Sequence, residues 1–144
     1  MAQAPQTYKN HIRLDPSFHF FLAPAALVLL IAAAISAYQN PGWAGAARIL
    51  AGLWALVATF KIRLYALKVQ DRVIRLEERL RLKEVLPADL QPQIGGLAEH
   101  QLIALRFAPD NELPGLVTKC LEGKWKGKQI KESVRTWRPD YWRV

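Results

Sequence analysis

The strongest constraint on this chain is a long region that is almost free of charge. Between Phe18 and Phe60 the only charged side chain is Arg48, whereas residues 61–144 carry 17 Lys and Arg against 11 Asp and Glu. An apolar segment of about 20 residues matches the hydrocarbon core of a bilayer. The sequence therefore predicts a membrane-embedded N-terminal part and a basic extramembrane C-terminal part.

The first predicted transmembrane helix covers residues 16–39. Asp15 can cap this helix and Pro16 can occupy its first position, because both residue types favour helix starts. Its apolar stretch is longer than the roughly 7–15 residues of a signal-peptide core, so we expect a retained span. Pro24 removes one backbone hydrogen bond and predicts a slight kink.

A short uncharged turn and a second transmembrane helix are predicted within residues 40–66. Asn40 can cap a helix that begins at Pro41, and the short connection allows only an antiparallel hairpin. Tryptophan and long cationic side chains near span ends favour the membrane interface. The residues expected there are Trp43, Arg48, Lys61 and Arg63.

Small residues suggest how the hairpin packs. Helices in lipid associate through small residues that allow close approach. We expect Ala44, Ala47, Ala51, Ala55 and Ala58 to form the hairpin's own seam against Ala26, Ala33 and Ala37. A surface for a neighbouring membrane subunit is the alternative.

Lys and Arg flank both spans on one side and are absent from the turn between them. Such residues remain in the cytoplasm. The sequence therefore predicts a multi-pass protein of a bacterial inner (cytoplasmic) membrane. Its N-terminal segment, residues 1–15, and its C-terminus both face the cytoplasm.

A stem helix is predicted at residues 67–86 as an unbroken continuation of the second span. Its apolar residues repeat with heptad spacing, and additional apolar residues widen the stripe. We expect this stripe to pack against the chain's own C-terminal helices. The alternative is a parallel homodimer supported by an interchain pair of Arg72 and Glu77. The packing residues are Ile62, Val69, Val73, Leu76 and Leu80.

A basic helical domain is predicted for residues 87–144, with helices near 97–108, 112–121 and 128–137. The predicted fold class is therefore all-α: a two-helix transmembrane hairpin whose second helix extends into a small cytoplasmic helical domain.

Few residues point to catalysis or to a cofactor. His19 lies inside the first span, where an imidazole can bind haem iron or the magnesium of a chlorophyll-type pigment, but it also lies close enough to the span's end to reach headgroups. His100 has no second metal ligand at a suitable spacing, and Cys120 is expected to be buried and inert. We therefore expect neither a metal, a cofactor nor an enzymatic activity.

The C-terminal segment alternates basic and aromatic residues. Such a mixture suits an anionic lipid surface or a membrane partner, and single-stranded nucleic acid is the less favoured alternative. The candidate partner-binding residues are Lys124, Trp125, Lys126, Arg135, Trp137, Arg138, Tyr141, Trp142 and Arg143.

Several short motifs resemble a family of short two-span bacterial membrane proteins that carry a domain of unknown function. The resemblance implies an inner-membrane location and the two-span layout, and it implies no activity or cofactor. The motifs are YKNH at 8–11, LKVQDR at 67–72, RLEERL at 75–80, QLIALRF at 101–107, ELP at 112–114 and WRPDY at 137–141.

Three functional hypotheses follow. We expect a non-enzymatic accessory or assembly subunit of a larger membrane complex, for which a respiratory or photosynthetic complex is one candidate host. The second hypothesis is a self-associating membrane scaffold that binds anionic lipid or soluble partners. The third is a membrane-tethered nucleic-acid binder.

Overall fold

A computed structural model describes residues 5–12 and 14–141, which form helices, turns and extended connections without any strand. The chain divides into two compact units. One contains residues 14–68, and the other combines the N-terminal segment with residues from Val69 onward. The predicted all-α class is confirmed.

The first apolar helix begins as predicted at Asp15, whose carboxylate accepts a hydrogen bond from the Phe18 amide at 3.2 Å. Residues Phe18–Leu22 form a π-helical turn that leads directly into α1, Ala23–Gln39. In this turn the Ala23 amide donates to the Phe18 carbonyl, five residues earlier. Pro24 follows the turn and has no N–H to donate to the Phe20 carbonyl, so the regular α-helical pattern is interrupted in this region.

The second helix, α2, is continuous from Trp43 to Val85. It begins two residues after the predicted start at Pro41, because residues 40–42 complete the turn between the helices. Gly42 has a φ of +155°, a conformation that favours glycine. By length and composition, Phe18–Gln39 and the apolar part of α2 are both able to cross a membrane.

Two glycines of α2 form the close contact of the hairpin. A Cβ atom at Gly45 would lie 2.9 Å from the Ala37 Cβ, and one at Gly52 would lie 3.1 Å from the Leu30 Cα. On the opposite helix, Ala26 is buried and Ala33 is half-buried. The part of the prediction that concerns α1 therefore agrees with the structure.

Most of the alanine residues of α2 that we predicted to form the seam do not lie at the contact with α1. Ala44, Ala47 and Ala51 are exposed, and only Ala55 and Ala58 are half-buried. The expectation that this face forms the seam was wrong because glycine, which has no Cβ, allows closer approach than alanine does. The two glycines are seven residues apart and therefore share one side of the helix.

The second unit is a small helical domain around one core. Leu82 and Leu86 near the end of α2 contribute to this core, together with a 3₁₀ turn at Gln91–Gly96. The remaining helices are α3, Glu99–Leu105, α4, Leu113–Gly123, and α5, Gly127–Ser133, with a short 3₁₀ turn at Asp110–Glu112 before α4.

The last helix ends earlier than the expected Trp137. Val134 adopts an extended conformation and is buried in the core. The described residues that follow do not resume a helix, and the Arg138 amide donates to the Phe107 carbonyl at 2.8 Å. This hydrogen bond ties the C-terminal segment to the domain, so tertiary contacts outweigh the local preference for helix.

The N-terminal segment packs on the same domain. The Gln6 side chain donates to the Asp140 carbonyl at 3.1 Å and accepts from the Asp140 amide at 2.8 Å. The His11 ring stacks on Tyr8, and its centroid lies 5.6 Å from that of Trp137. Residues far apart in sequence are thereby joined in one unit.

The glycine contact gives a first prediction. Gly52→Leu should destabilise the hairpin by about 1–3 kcal/mol, because the new side chain meets the Leu30 backbone. Ala51→Leu adds similar bulk one residue away on an exposed face and is the matched control. Unfolding by denaturant in detergent measures both variants, and equal stabilities would contradict the glycine seam.

Candidate functional site

A shallow apolar groove runs along the outer side of α2. Trp43 and Trp54 lie at its two ends, and Ala47 and Ala51 lie between them. The groove has a volume of about 550 Å³, and its remaining lining residues are Ala46 and Leu50. At 3.6 residues per turn this groove faces away from Gly45 and Gly52, so it is opposite the hairpin contact.

The two tryptophans are much exposed within the chain. Trp43 is 87 % exposed and Trp54 is 72 % exposed. In lipid, small residues between larger ones allow another helix to approach closely and to gain van der Waals contact. The predicted interfacial residue Trp43 therefore also forms one wall of a potential helix-binding surface.

An ion pair joins the two helices at the end of the hairpin near Asp15. An Nη1 atom of Arg63 lies 3.0 Å from an Asp15 carboxylate oxygen, and the guanidinium lies over the Phe18 ring at 5.3 Å. Phe18 also contacts Phe60 edge to face. Arg63, which we predicted to reach lipid headgroups, thus pairs within the hairpin. Sequence reasoning missed this pair because 48 residues separate its members.

The other predicted interfacial cations are open to their surroundings. Arg48 is exposed, and the Lys61 ammonium lies 5.6 Å from the centre of the exposed Tyr65 ring. Both remain suitable for headgroups or for a partner's polar groups. Ile62, a predicted packing residue nearby, is 72 % exposed.

His19 is held by its own helix. Its Nδ1 atom donates to the Asp15 carbonyl at 2.8 Å, and its ring contacts Phe18. No group of three or more His, Cys, Asp or Glu side chains that could bind a metal occurs among the described residues. The described residues therefore provide no second ligand that would support the predicted binding of haem or a pigment by His19.

The stem residues of the predicted heptad lie on the outside of the second unit. The exposed stripe comprises Val69, Val73, Leu76 and Leu80, which are 47–62 % exposed. A different face of α2 packs inward, through Ile74, Glu78 and Leu82. The four predicted stripe residues therefore do not pack against the chain's own helices. Ile74 and Leu82, two of the additional apolar residues beside the stripe, make that contact instead.

A buried carboxylate lies in that inward face. Glu78 is 4 % exposed, and its oxygens lie 3.1 Å from an Arg81 nitrogen and 3.5 Å from an Arg138 nitrogen. Arg81 also donates hydrogen bonds to an Asp110 carboxylate oxygen and to the Ala108 carbonyl. Arg106, which is also buried, lies close to Asp140. Sequence analysis missed this cluster, since its members come from three segments that are far apart in sequence.

Burial is the largest influence on the pKa of Glu78. Desolvation raises its pKa above the ordinary 4.5, although Arg81, Arg138 and Arg106 oppose the shift. Because the folded protein holds the proton more tightly than the unfolded chain does, this group stabilises the fold less as pH rises through its raised pKa. The cluster is best explained as a structural network, since its carboxylates and guanidinium groups pair with one another.

This electrostatic balance gives a second prediction. Relative to Glu78→Gln, the wild-type protein should gain stability as pH falls from 7 towards about 4.5, by at most about 1.4 kcal/mol per pH unit for one proton. Denaturant unfolding of both proteins across this range measures the difference. A relative loss of wild-type stability at lower pH would mean that the ion pairs outweigh burial.

The basic and aromatic C-terminal segment is largely part of the fold. Trp125 and Trp137 pack against the core, and Trp137 lies 4.7 Å from Phe107 between ring centroids. The Trp125 carbonyl accepts from Gln101, and the Arg135 amide donates to Glu112. The two indoles are therefore engaged within the domain rather than presented as a stacking surface.

The remaining candidate partner-binding residues differ in exposure. Lys124, Lys126, Arg135 and Arg138 are exposed, whereas Tyr141 is half-buried. Lys124 adopts the left-handed conformation at the end of α4, with a φ of +46°. The predicted residues Trp142 and Arg143 lie outside the described part of the chain.

Cys120 lies in the core, where burial raises the pKa of its thiol to about 11. A thiol with that pKa is almost entirely protonated at neutral pH and is a poor nucleophile.

These features define a class of all-helical proteins with an apolar two-helix hairpin and a small basic helical domain. Residues 1–144 match DUF6526, a family of unknown function, and the chain belongs to that family. No curated protein matches the chain. No solved structure matches it either.

Proposed function

We propose that this protein is a non-enzymatic assembly subunit of a larger membrane complex, anchored in a bacterial inner membrane by its hairpin. The observation that carries the proposal is the groove between Trp43 and Trp54. The two spans use Gly45 and Gly52 for their own contact and leave the alanine-lined side of α2 open.

A transmembrane helix of another subunit is the occupant that suits this groove. The lining is apolar, so a polar or charged ligand would gain nothing there. Small residues allow two helical backbones to approach, which is the usual basis of helix association in lipid. A mobile acyl chain would lose more conformational freedom for a similar contact area, so a preformed helix is favoured.

Topology is the first part of the proposal to test. The N-terminal segment and the C-terminal helices belong to one compact unit, which supports a common side for both termini. The charge-free turn at Asn40 then lies on the opposite side, in agreement with the distribution of Lys and Arg.

In a Cys120→Ala background, Asn40→Cys should react with a membrane-impermeant maleimide in intact cells. Lys9→Cys and Lys128→Cys should react only after permeabilisation, because all three positions are exposed and the proposed topology puts positions 9 and 128 on the cytoplasmic side. Labelling of positions 40 and 128 from the same side would refute the proposed topology.

The groove itself gives the next prediction. A photoactivatable cross-linker at Ala47 should form a discrete adduct with a membrane protein in the native host. The same cross-linker at Leu53, which is exposed about a third of a turn from Ala47 around α2, should not. Mass spectrometry of the adduct identifies the partner.

The double variant Ala47→Leu/Ala51→Leu should reduce recovery of that partner in mild detergent at least tenfold, because the added side chains fill the groove. Leu53→Phe is the control for added bulk and should leave recovery unchanged. Migration of the wild-type protein alone in mild detergent would overturn the proposal. Unchanged recovery with the double variant would reject the groove as the binding surface.

A further inference from the structure

The exposed stripe of α2, formed by Val69, Val73, Leu76 and Leu80, lies in the second unit and outside the groove. Four large apolar side chains at alternating spacings of four and three residues remain in contact with solvent. Water-exposed apolar residues in this pattern are typical of a coiled-coil seam. The chain's own domain packs on another face of the helix, through Ile74, Glu78 and Leu82, so the stripe stays accessible.

The charged residues beside the stripe indicate what covers it. When Val73 and Leu80 occupy the a positions of the heptad, Arg72 and Arg79 occupy g positions on one side. Glu77 and Glu84 then occupy e positions on the other side. In a parallel pair of helices a g residue faces the e residue five positions further along the partner helix.

Both possible charge pairs are attractive. Arg72 would face the second copy's Glu77, and Arg79 would face its Glu84; twofold symmetry produces each pair twice. All four side chains are exposed, and none of them forms an ion pair within the described residues of its own chain. An antiparallel pair of helices would not place these g and e residues opposite each other.

We propose that the stem of α2 forms a parallel two-stranded coiled coil with a second copy of this chain, through Val69, Val73, Leu76 and Leu80. Val73 at an a position and Leu76 at the following d position are the combination that favours two strands. Anchoring by the hairpin gives both copies the same orientation and raises their effective concentration, which compensates for the shortness of the seam.

Cross-linking tests the seam directly. In a Cys120→Ala background reconstituted into lipid bilayers, Val73→Cys should form a disulfide-linked dimer under mild oxidation, since a-position side chains meet across the seam. Lys68→Cys is an exposed position on the stem outside the stripe, and it should give at least tenfold less dimer. Equal yields at the two positions would overturn the proposal.

Charge reversal tests the partner and its orientation. Glu77→Arg/Glu84→Arg should lower the dimer fraction at least tenfold, and Arg72→Glu/Arg79→Glu should do the same, because like charges then face each other. A mixture of the two variants should recover heterodimers, since opposite charges are restored across the seam. Co-reconstitution with differently tagged copies measures this recovery.

Failure of the mixture to form heterodimers would refute the parallel pairing, whatever the stability of either variant. Circular dichroism confirms that each variant is folded. The cross-link at Ala47 serves as an independent readout, because loss of the stem dimer should leave the groove adduct unchanged. In the native host, a cross-link from Val73→Cys to a different protein in place of the second copy would also refute the proposal.

Discussion

The absence of side chains at Gly45 and Gly52 is the constraint on which the apolar hairpin of this protein depends. Two helices can approach this closely only where no Cβ intervenes, and the distances to Ala37 and Leu30 leave little room for one. That contact fixes the rotation of α2 about its own axis relative to α1. The face bearing Trp43 and Trp54 is consequently directed outward, so the seam determines which surface is available to a partner.

In the second unit, too, one face of α2 packs inward while another stays exposed. The inward face includes a charged residue. Glu78 enters the interior with Ile74 and Leu82, although Val73 and Leu76 on the other face are more hydrophobic. Burying a carboxylate costs free energy, and its raised pKa reflects that cost. The nearby arginines offset part of it. A packed face that includes a charge while an apolar stripe stays exposed suggests that the stripe has another use.

Hydrophobic length and helical punctuation predicted the two long apolar helices, the uninterrupted α2 and the all-helical class, because each depends on local sequence. Asp15 was also found correctly, since a capping residue acts on its immediate neighbours. The seam was assigned to the wrong face of α2 because alanine and glycine are both small residues. The sequence pattern alone does not show that helices approach more closely at glycine than at alanine. The Glu78 network and the Asp15–Arg63 pair depend on residues distant in sequence, and periodicity carries no information about such contacts.

The two proposed association surfaces rest on different physics, and this difference makes them separable. In lipid there is little hydrophobic gain, so the groove between Trp43 and Trp54 must act through shape and van der Waals contact, with almost no dependence on salt. The stem stripe lies among charged residues, so in the proposed dimer apolar burial drives pairing and the flanking charges select the partner. Because salt screens exposed charges, raising ionic strength should weaken the selectivity of the stem while leaving the groove contact intact.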